Sequence, residues 1–312
     1  MSRIPGYLVY SVYVLLLVLT GSFAYAGGSP FNLVEISEGI YLHRGVNAAF
    51  GDPGFDDIAN IGFIVGDKCV AVIDTGGSVM IGEELHSAVT ATTDKPICYV
   101  INTHVHFDHV LGNLAFTGDK PEFAGHAGLA DAIEVNRDYF LKEFGKYLGD
   151  SPTRQSIIGP TLSVNDTLTV DLGNRELLLT AYPPAHTHTD LTVFDKKTGT
   201  LWTGDLVFRE HIPVIDGSLK GWLAVMDKLM TVDVTCIIPG HGPPGNSWPE
   251  AAQAELEYFN KLLDETRKAI AKGMFMEEAI DTIGLDEKDK WKLFDEYNRT
   301  NVSRAFVELE WE

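Results

Sequence analysis

The sequence predicts an α/β fold, and three neighbouring segments carry that prediction. Residues 69–77 (CVAVIDTGG) and 96–104 (PICYVINTH) are apolar runs rich in β-branched residues, which is typical of buried strands. Between them, residues 78–93 (SVMIGEELHSAVTATT) have the pattern of an amphipathic helix. A strand, a helix and a parallel strand form a βαβ unit, so both strands should end at the same edge of one sheet.

Further strands are predicted on both sides of this unit, and a helical region is predicted at about 126–148. Gly-rich turns separate the first of these strands from one another. The predicted strands lie at 32–45, 58–67, 167–173, 175–184, 190–205 and 234–242.

The C-terminal part of the chain has a helical pattern. Pro249 and Gly273 stand at the start and the end of a long helical segment, and segments 275–283 and 286–307 follow it. We therefore interpret residues 246–312 as a helical extension on the α/β body.

The first 26 residues predict a secretory signal peptide. Arg3 supplies a positive charge, residues 8–20 are apolar, and Ala24-Tyr25-Ala26 resembles a cleavage site. A membrane anchor is the alternative, but the apolar run is shorter than the roughly 20 residues that span a bilayer. We expect a periplasmic or secreted protein with no stable membrane anchor after cleavage.

Composition narrows the class of partner. Apolar residues make up 45% of the 312 residues, enough for a sizeable core. The formal net charge is −20, from 44 acidic and 24 basic side chains. Such a surface repels nucleic-acid phosphates and anionic lipid, so we expect a small-molecule substrate and no nucleic acid. The sequence does not indicate an oligomeric state.

Three cysteines, an odd number, occur in strand-like apolar runs: Cys69, Cys98 and Cys236. We expect three buried thiols that act as small hydrophobic residues. A disulfide between neighbouring strands is the less favoured alternative.

A cluster of possible metal ligands follows the strand at 96–104. His104, His106, Asp108 and His109 lie in the loop segment THVHFDH, beyond the carboxyl end of that strand. Loops at this edge are where α/β folds place their functional sites. Imidazoles with a few carboxylates suit zinc best, with iron or manganese as alternatives.

Other predicted strands also end in possible ligands. His186 and His188 lie in PPAHTHTDL, Asp205 in LWTGDLVF and His241 in IIPGHGPP. Each follows an apolar strand and stands near Gly or Pro. These residues supply the additional ligands that a centre with two metal ions requires.

Together these motifs resemble those of the metallo-β-lactamase superfamily. The matching motifs, in chain order, are Asp74 in VIDTGG, then HVHFDH, AHTHTD, TGD and PGHG. The resemblance implies a four-layered αβ/βα sandwich spanning residues 27–245, with a two-metal site in a shallow groove along the sheet edges. The extension at 246–312 would follow this domain.

The resemblance also implies roles for these residues. His104, His106 and His186 would hold the first metal ion, Asp108, His109 and His241 the second, and Asp205 would bridge them. His188 is expected at the rim of the site, and Asp74 is expected to orient the ligand loop through hydrogen bonds. His43, His86 and His211 are expected to be surface or packing residues.

The expected activity is that of an exported di-zinc hydrolase. A metal-bridging hydroxide would cleave an ester, thioester or lactam bond, and Asp108 would orient the hydroxide or transfer its proton. An aspartate at position 205 resembles the glyoxalase II type. The alternatives are β-lactamase activity proper, a mononuclear iron persulfide dioxygenase, and a non-catalytic binding protein that retains the fold.

Substrate selection is expected to depend on residues 206–220 and on the C-terminal helices. Arg209, Asp216 and Lys220 would line the groove and bind a substrate carboxylate, or else form an ordinary charged loop; the residues favour neither. Lys261 and Arg267 lie with other basic residues on the long helix, without a motif that indicates glutathione binding. A looser resemblance links the chain to exported superfamily members associated with quinoprotein and sulfur-oxidation systems.

Overall fold

The structure, a computed structural model, describes residues 31–312 and, ahead of them, Met1 alone. The predicted signal peptide therefore lies, apart from Met1, outside the described residues. Within residues 31–312, no helix is long and apolar enough to cross a membrane.

The chain folds into two β-sheets that face each other. The first sheet contains seven strands in chain order, and the second contains five strands in the order β12-β11-β10-β9-β8. The strands of the first sheet are β1 (Leu33–Ser37), β2 (Ile40–His43), β3 (Ile61–Val65), β4 (Val70–Ile73), β5 (Ile97–Ile101), β6 (Glu122–His126) and β7 (Leu162–Val164). Those of the second are β8 (Thr167–Asp171), β9 (Glu176–Ala181), β10 (Leu191–Asp195), β11 (Thr200–Phe208) and β12 (Cys236–His241).

Within residues 31–312, seven α-helices accompany the sheets. They are α1 (Val79–Thr92), α2 (Phe107–Val110), α3 (Leu129–Phe144), α4 (Leu219–Leu229), α5 (Gln253–Ala271), α6 (Met276–Ala279) and α7 (Phe294–Leu309).

The predicted βαβ unit is present as β4, α1 and β5. Strands β4 and β5 pair in parallel, with Val72 beside Val100. Ser78 begins the helix by accepting a hydrogen bond from the main-chain N–H of Ile81, as N-cap residues do. Leu85, on the buried face of α1, packs against the outer face of the first sheet. The parallel pairing places the ends of β4 and β5 at one edge, where the ligand loop begins.

The layers are held together by separate apolar cores. Ile73 and Ile101 of the first sheet meet Leu179 and Trp202 of the second between the two sheets. On the outer face of the second sheet, α4, α5 and α7 form another core around Trp222. The expected α/β sandwich with C-terminal helices is thus confirmed.

The C-terminal helices pack directly on the α/β body, and residues 31–312 form one compact unit. The predicted helix at 286–307 begins later than expected. Residues 285–290 form a 3₁₀ turn, and Leu293 adopts a left-handed backbone conformation just before α7 begins at Phe294. That conformation interrupts the α-helical hydrogen-bond pattern.

The expectation of three free thiols is wrong for two of them. Cys69 and Cys98 form a disulfide, with Cα atoms 5.8 Å apart. Cys69 precedes Val70 and Cys98 follows its pairing partner Ile97, at an irregularity where the next pair is Ala71 with Tyr99. Cys236 is a free, buried thiol, as expected.

Candidate metal centre

The ends of four strands position the seven predicted ligands. His104 and His106 follow β5, and Asp108 and His109 lie in the short helix α2 directly after them. The remaining ligands lie in the β9–β10 loop, in β11 and at the end of β12: His186, Asp205 and His241, respectively. The structure brings all seven to one edge of the sandwich, where their donor atoms form two adjacent groups.

The first group contains three imidazoles. The Nε2 atom of His186 lies 3.0 Å from Nδ1 of His106 and 3.3 Å from Nε2 of His104. The Oδ2 atom of Asp205 lies 3.4 Å from the same His186 nitrogen. These four side chains offer donor atoms that all lie within 4.8 Å of one another.

The second group contains Asp108, His109 and His241. The Oδ2 atom of Asp108 lies 3.4 Å from Nε2 of each histidine. Asp205 faces this group too, with Oδ1 3.2 Å from His109 Nε2 and Oδ2 3.2 Å from His241 Nε2. Asp205 therefore lies between the two groups, as a bridging ligand would.

The five histidines share one orientation, in which the ring nitrogen that faces away from the cluster meets an oxygen. Where this oxygen can only accept a hydrogen bond, the ring proton must lie on the nitrogen that faces it. The other ring nitrogen then keeps a free lone pair, directed into the cluster. The oxygens belong to Thr103 for His104, Asp216 for His106, Asp74 for His109, and the main chain of Val214 for His186 and of Ile58 for His241.

The donor set fits metal ions. Two of its buried atoms, Nε2 of His109 and Oδ1 of Asp205, have no hydrogen-bond partner within residues 31–312. They lie 3.2 Å apart, but not in hydrogen-bond geometry. Buried polar atoms without a partner are rare, and a cation would satisfy both. The combination of imidazoles and carboxylates is the one that zinc, iron and manganese accept.

The histidines of the two groups differ in the direction of their pKa shifts. Burial lowers the pKa of His186 to about 3 and that of His104 well below its usual value, so both rings are neutral, as metal ligands must be. In the second group, burial and the neighbouring carboxylates shift the pKa of the histidine in opposite directions. Burial would lower the pKa of His241, but Asp205 and Asp108 raise it to about 9. This end of the centre therefore attracts positive charge.

Two buried residues hold the ligand-bearing segments in place. Asp74 accepts hydrogen bonds from the main-chain N–H and the hydroxyl of Thr103, and from Nδ1 of His109. The expectation that Asp74 orients the ligand loop is confirmed. Gly240, in the PGHG motif, allows β12 to approach Asp205, because a Cβ atom at position 240 would overlap the Asp205 carboxylate.

A groove of about 470 Å³ opens directly onto the ligands. His106, Asp108 and His241 lie at its floor. One side consists of aromatic residues from the 50–55 loop, from Phe107 and from α3.

The other side of the groove contains residues that the sequence did not single out. Helix α7 contributes Tyr297, Thr300 and Arg304. The expectation that His211 is only a packing or surface residue is incomplete. The His211 ring is buried, lines the groove and lies 5.2 Å from the ring of His241. The sequence contains a signal for this role, because His211 lies six residues after Asp205, just beyond the end of the same strand.

The charged residues of the 206–220 segment have different roles. Asp216 lines the groove, where it contacts His106 and forms an ion pair with Arg304 at 2.9 Å. Arg209 instead donates to the main-chain oxygens of Pro243 and Pro244, and Lys220 pairs with Glu312. Neither Arg209 nor Lys220 lines the groove, so for these two residues the structure favours the alternative of an ordinary charged loop.

The other histidines lie outside the two groups. His188 is exposed, and His86 pairs with Asp119 at the surface. His43 is buried against Asp57, and His126 accepts a hydrogen bond from the main-chain N–H of Gly128.

The model of one protein family, described as the metallo-beta-lactamase superfamily, matches residues 54–241. This range covers more than half of the chain and every proposed ligand. The chain belongs to the metallo-β-lactamase superfamily.

Relatives and solved structures agree with this assignment. A linear primary-alkylsulfatase from a Pseudomonas species is 20% identical over 254 residues, which cover 69% of this chain and 48% of that protein. The chain spans about half the length of the curated relatives it matches.

Two solved structures show the same fold. A metallo-β-lactamase from Pontibacter korlensis superposes with a TM-score of 0.58 at 18% identity, covering 73% of this chain and 98% of that one. A stereoselective inverting sec-alkylsulfatase from Pseudomonas sp. superposes with a TM-score of 0.67 at 16% identity, covering 89% of this chain and 50% of that one.

Proposed function

We propose that the protein is an exported hydrolase that binds two zinc ions and cleaves an ester, thioester or lactam bond. His104, His106 and His186 would hold one ion, and Asp108, His109 and His241 the other, with Asp205 shared between them. The observation that carries this proposal is the common orientation of the five histidines. Each has an oxygen behind it and directs its other nitrogen into the cluster.

Two ions are favoured over one by the second group of donors. A single ion at His104, His106 and His186 would leave the buried Nε2 of His109 without a partner. It would also leave the buried carboxylate of Asp108, which belongs to the second group, with only histidines to balance its charge. This argument disfavours the alternative of a mononuclear iron dioxygenase. Zinc is favoured by the five imidazoles, with iron or manganese as alternative ions.

The chemistry follows from the groups at the floor of the groove. Zinc ions, when bound, lower the pKa of a coordinated water and polarise the bond to be cleaved. The carboxylate of Asp108 would orient the attacking water and accept its proton. Burial and the charge of Asp108 raise the pKa of Tyr297 to about 12, so its phenol remains a hydrogen-bond donor near neutral pH. Tyr297 would donate to a substrate oxygen from the α7 side of the groove.

Export is supported by two independent features. The N-terminal sequence has the pattern of a signal peptide, and Cys69 and Cys98 are paired. Disulfides persist in the periplasm and in secreted proteins, and they are rare in the cytosol.

Sulfate ester hydrolysis is a second candidate. The superposition with the sec-alkylsulfatase covers 89% of this chain, whereas that with the Pontibacter metallo-β-lactamase covers 73%. The similarity of the chain to a linear primary-alkylsulfatase also supports this candidate.

The test is hydrolysis by the mature, zinc-loaded protein of four matched chromogenic substrates: a carboxylic ester, a thioester, a cephalosporin and an alkyl sulfate. We expect turnover of the ester, the thioester or the cephalosporin, abolished by a chelator and restored by zinc. Turnover of the sulfate alone would replace the first candidate with the second. Oxygen consumption with a persulfide, without hydrolysis of any substrate, would contradict both.

A further inference from the structure

The groove beside the metal centre has an apolar side that catalysis itself does not require. We call this side the aromatic wall; it consists of Phe50, Phe55, Phe107, Tyr139, Phe140 and Phe144. The rings contact one another over most of its length. The ring centroids of Phe107 and Phe144 lie 4.2 Å apart in a stacked arrangement, and those of Phe55 and Phe107 lie 5.0 Å apart.

The outer end of the aromatic wall is open to solvent. Phe50 is 66% exposed and Tyr139 is 54% exposed, although both rings pack against their neighbours in the wall. Large exposed aromatic side chains beside a cavity are typical of surfaces that bind an apolar ligand. The wall runs from Phe107, next to two metal ligands, to these exposed rings.

The groove offers no free positive side chain to a distant anionic group. Among the described residues that line it, Arg304 is the one guanidinium or ammonium, and Asp216 neutralises it at 2.9 Å. Nearby basic residues are engaged elsewhere, since Lys220 and Arg267 both pair with Glu312. The net charge of −20 also opposes an anionic substrate.

We propose that the substrate carries, on one side of the reacting bond, an uncharged aromatic or alkyl group that lies on the aromatic wall. This inference rests on the proposed hydrolase function and names its substrate class. The volume of about 470 Å³ is in the range of cavities that hold drug-sized ligands. Glutathione thioesters carry carboxylates away from the reacting bond, so they fit this groove poorly.

The test compares three thioesters with the same leaving group: acetyl, phenylacetyl and 4-carboxyphenylacetyl. The last two differ only in a carboxylate group at the distal end of the arm. We expect the zinc-loaded protein to hydrolyse the phenylacetyl thioester with a kcat/KM at least about tenfold above that of either other substrate. Equal or faster hydrolysis of the carboxylated thioester would overturn the inference.

Surface variants test whether the aromatic wall causes the preference. Phe50→Ser and Tyr139→Ser should each reduce the ratio of phenylacetyl to acetyl hydrolysis about fivefold, mainly through KM. Both side chains are largely exposed, so neither change should prevent folding. Val135→Ser is the matched control, because Val135 is 83% exposed on the same helix as Tyr139 and does not line the groove. Unchanged ratios in both wall variants would contradict the inference.

Binding of uncleavable amides separates this inference from the reaction itself. Phenylacetamide should bind the zinc-loaded protein about tenfold more tightly than 4-carboxyphenylacetamide, and Phe50→Ser should reduce the difference. That result without hydrolysis would support the substrate class and contradict the proposed reaction. Hydrolysis of the thioesters without any preference in turnover or binding would support the proposed reaction and contradict the substrate class.

Discussion

The carboxylate of Asp74 accepts a hydrogen bond from Nδ1 of His109 at 2.8 Å, and both side chains are buried. Asp74 also has a left-handed backbone conformation, with a φ of 52°. Asparagine tolerates that conformation, so Asp74→Asn changes the hydrogen bonding and keeps the backbone. The pair thus allows a direct test of how a residue outside the ligand set controls metal binding.

We expect Asp74→Asn to weaken binding of one of the two zinc ions about 10- to 100-fold, because His109 loses an ionised acceptor behind its ring. Competition with a fluorescent chelator measures both affinities. Asp67→Asn, at an exposed position, is the control and should bind as the parent does. Two unchanged affinities in Asp74→Asn would show that this hydrogen bond does not govern binding.

The second prediction concerns the phenol of Tyr297. Tyr297 lines the groove from α7, close enough to Asp108 for the charge of that carboxylate to raise the pKa of the phenol. Tyr297→Phe should lower kcat/KM about 10- to 100-fold and leave zinc content unchanged, since it removes one donor to the substrate. Tyr139→Phe, on the opposite side, should stay within about twofold of the parent. Equal losses in the two variants would refute a specific role for Tyr297.

A third prediction concerns the link between α7 and His186. Asn301 donates to the main-chain oxygen of Pro213 and accepts from the N–H of Ile215. Between them lies Val214, whose oxygen contacts Nδ1 of His186 at 2.7 Å. Asn301→Ala should therefore lower the free energy of unfolding by about 2–4 kcal/mol and also weaken zinc binding.

Asn298, one turn earlier on α7, provides the comparison. It bonds to Tyr258 and to the main-chain oxygen of Ile283, without contact to the 213–218 segment. Asn298→Ala should cost similar stability with normal zinc affinity, as measured by urea unfolding and chelator competition. If both variants lost affinity in proportion to stability, α7 would have only a general structural role.

The fourth prediction concerns pH and the buried carboxyl group of Glu255. Burial raises its pKa well above the usual 4.5, a hydrogen bond from the N–H of Phe208 opposes the shift, and Asp205 adds to it. The folded state therefore keeps a proton that the unfolded chain loses. The stability from this proton is complete below pH 4.5 and decreases as pH rises towards the folded-state pKa, by up to about 1.4 kcal/mol per pH unit.

Glu255→Gln should remove this pH dependence. The free energy of unfolding of the variant should therefore increase relative to that of the parent as the pH rises from 5 to 8. Urea unfolding across this range measures the difference. Glu257→Gln, exposed on the same helix, should follow the parent curve. Parallel curves for Glu255→Gln and the parent would mean that Glu255 is ionised in the folded state.

The strand ends and the seven proposed ligands could be located from the sequence because each ligand lies within or shortly after an apolar strand. Asp205 and His241 lie on the adjacent parallel strands β11 and β12, so strand pairing accounts for their proximity. His104 follows a strand of the other sheet and joins them through the packing of the two sheets. The groove side formed by α7 could not be located in this way. Tyr297 and Arg304 lie more than 50 residues beyond His241 on a helix whose packing against the sandwich leaves no local signal.

The disulfide illustrates a similar limit. Cys69 and Cys98 come together where the pairing of β4 with β5 shifts register, between the pairs Val70–Ile97 and Ala71–Tyr99. Strand register depends on contacts across the whole sheet, which the local pattern around each cysteine does not contain.

The metal content of the mature protein, measured by inductively coupled plasma mass spectrometry after purification from its native compartment, tests the central claim most directly. We expect about two zinc ions per chain, and about one in His241→Ala, which removes a ligand from the second group only. A single iron per chain in the parent, unchanged by His241→Ala, would contradict the two-zinc centre.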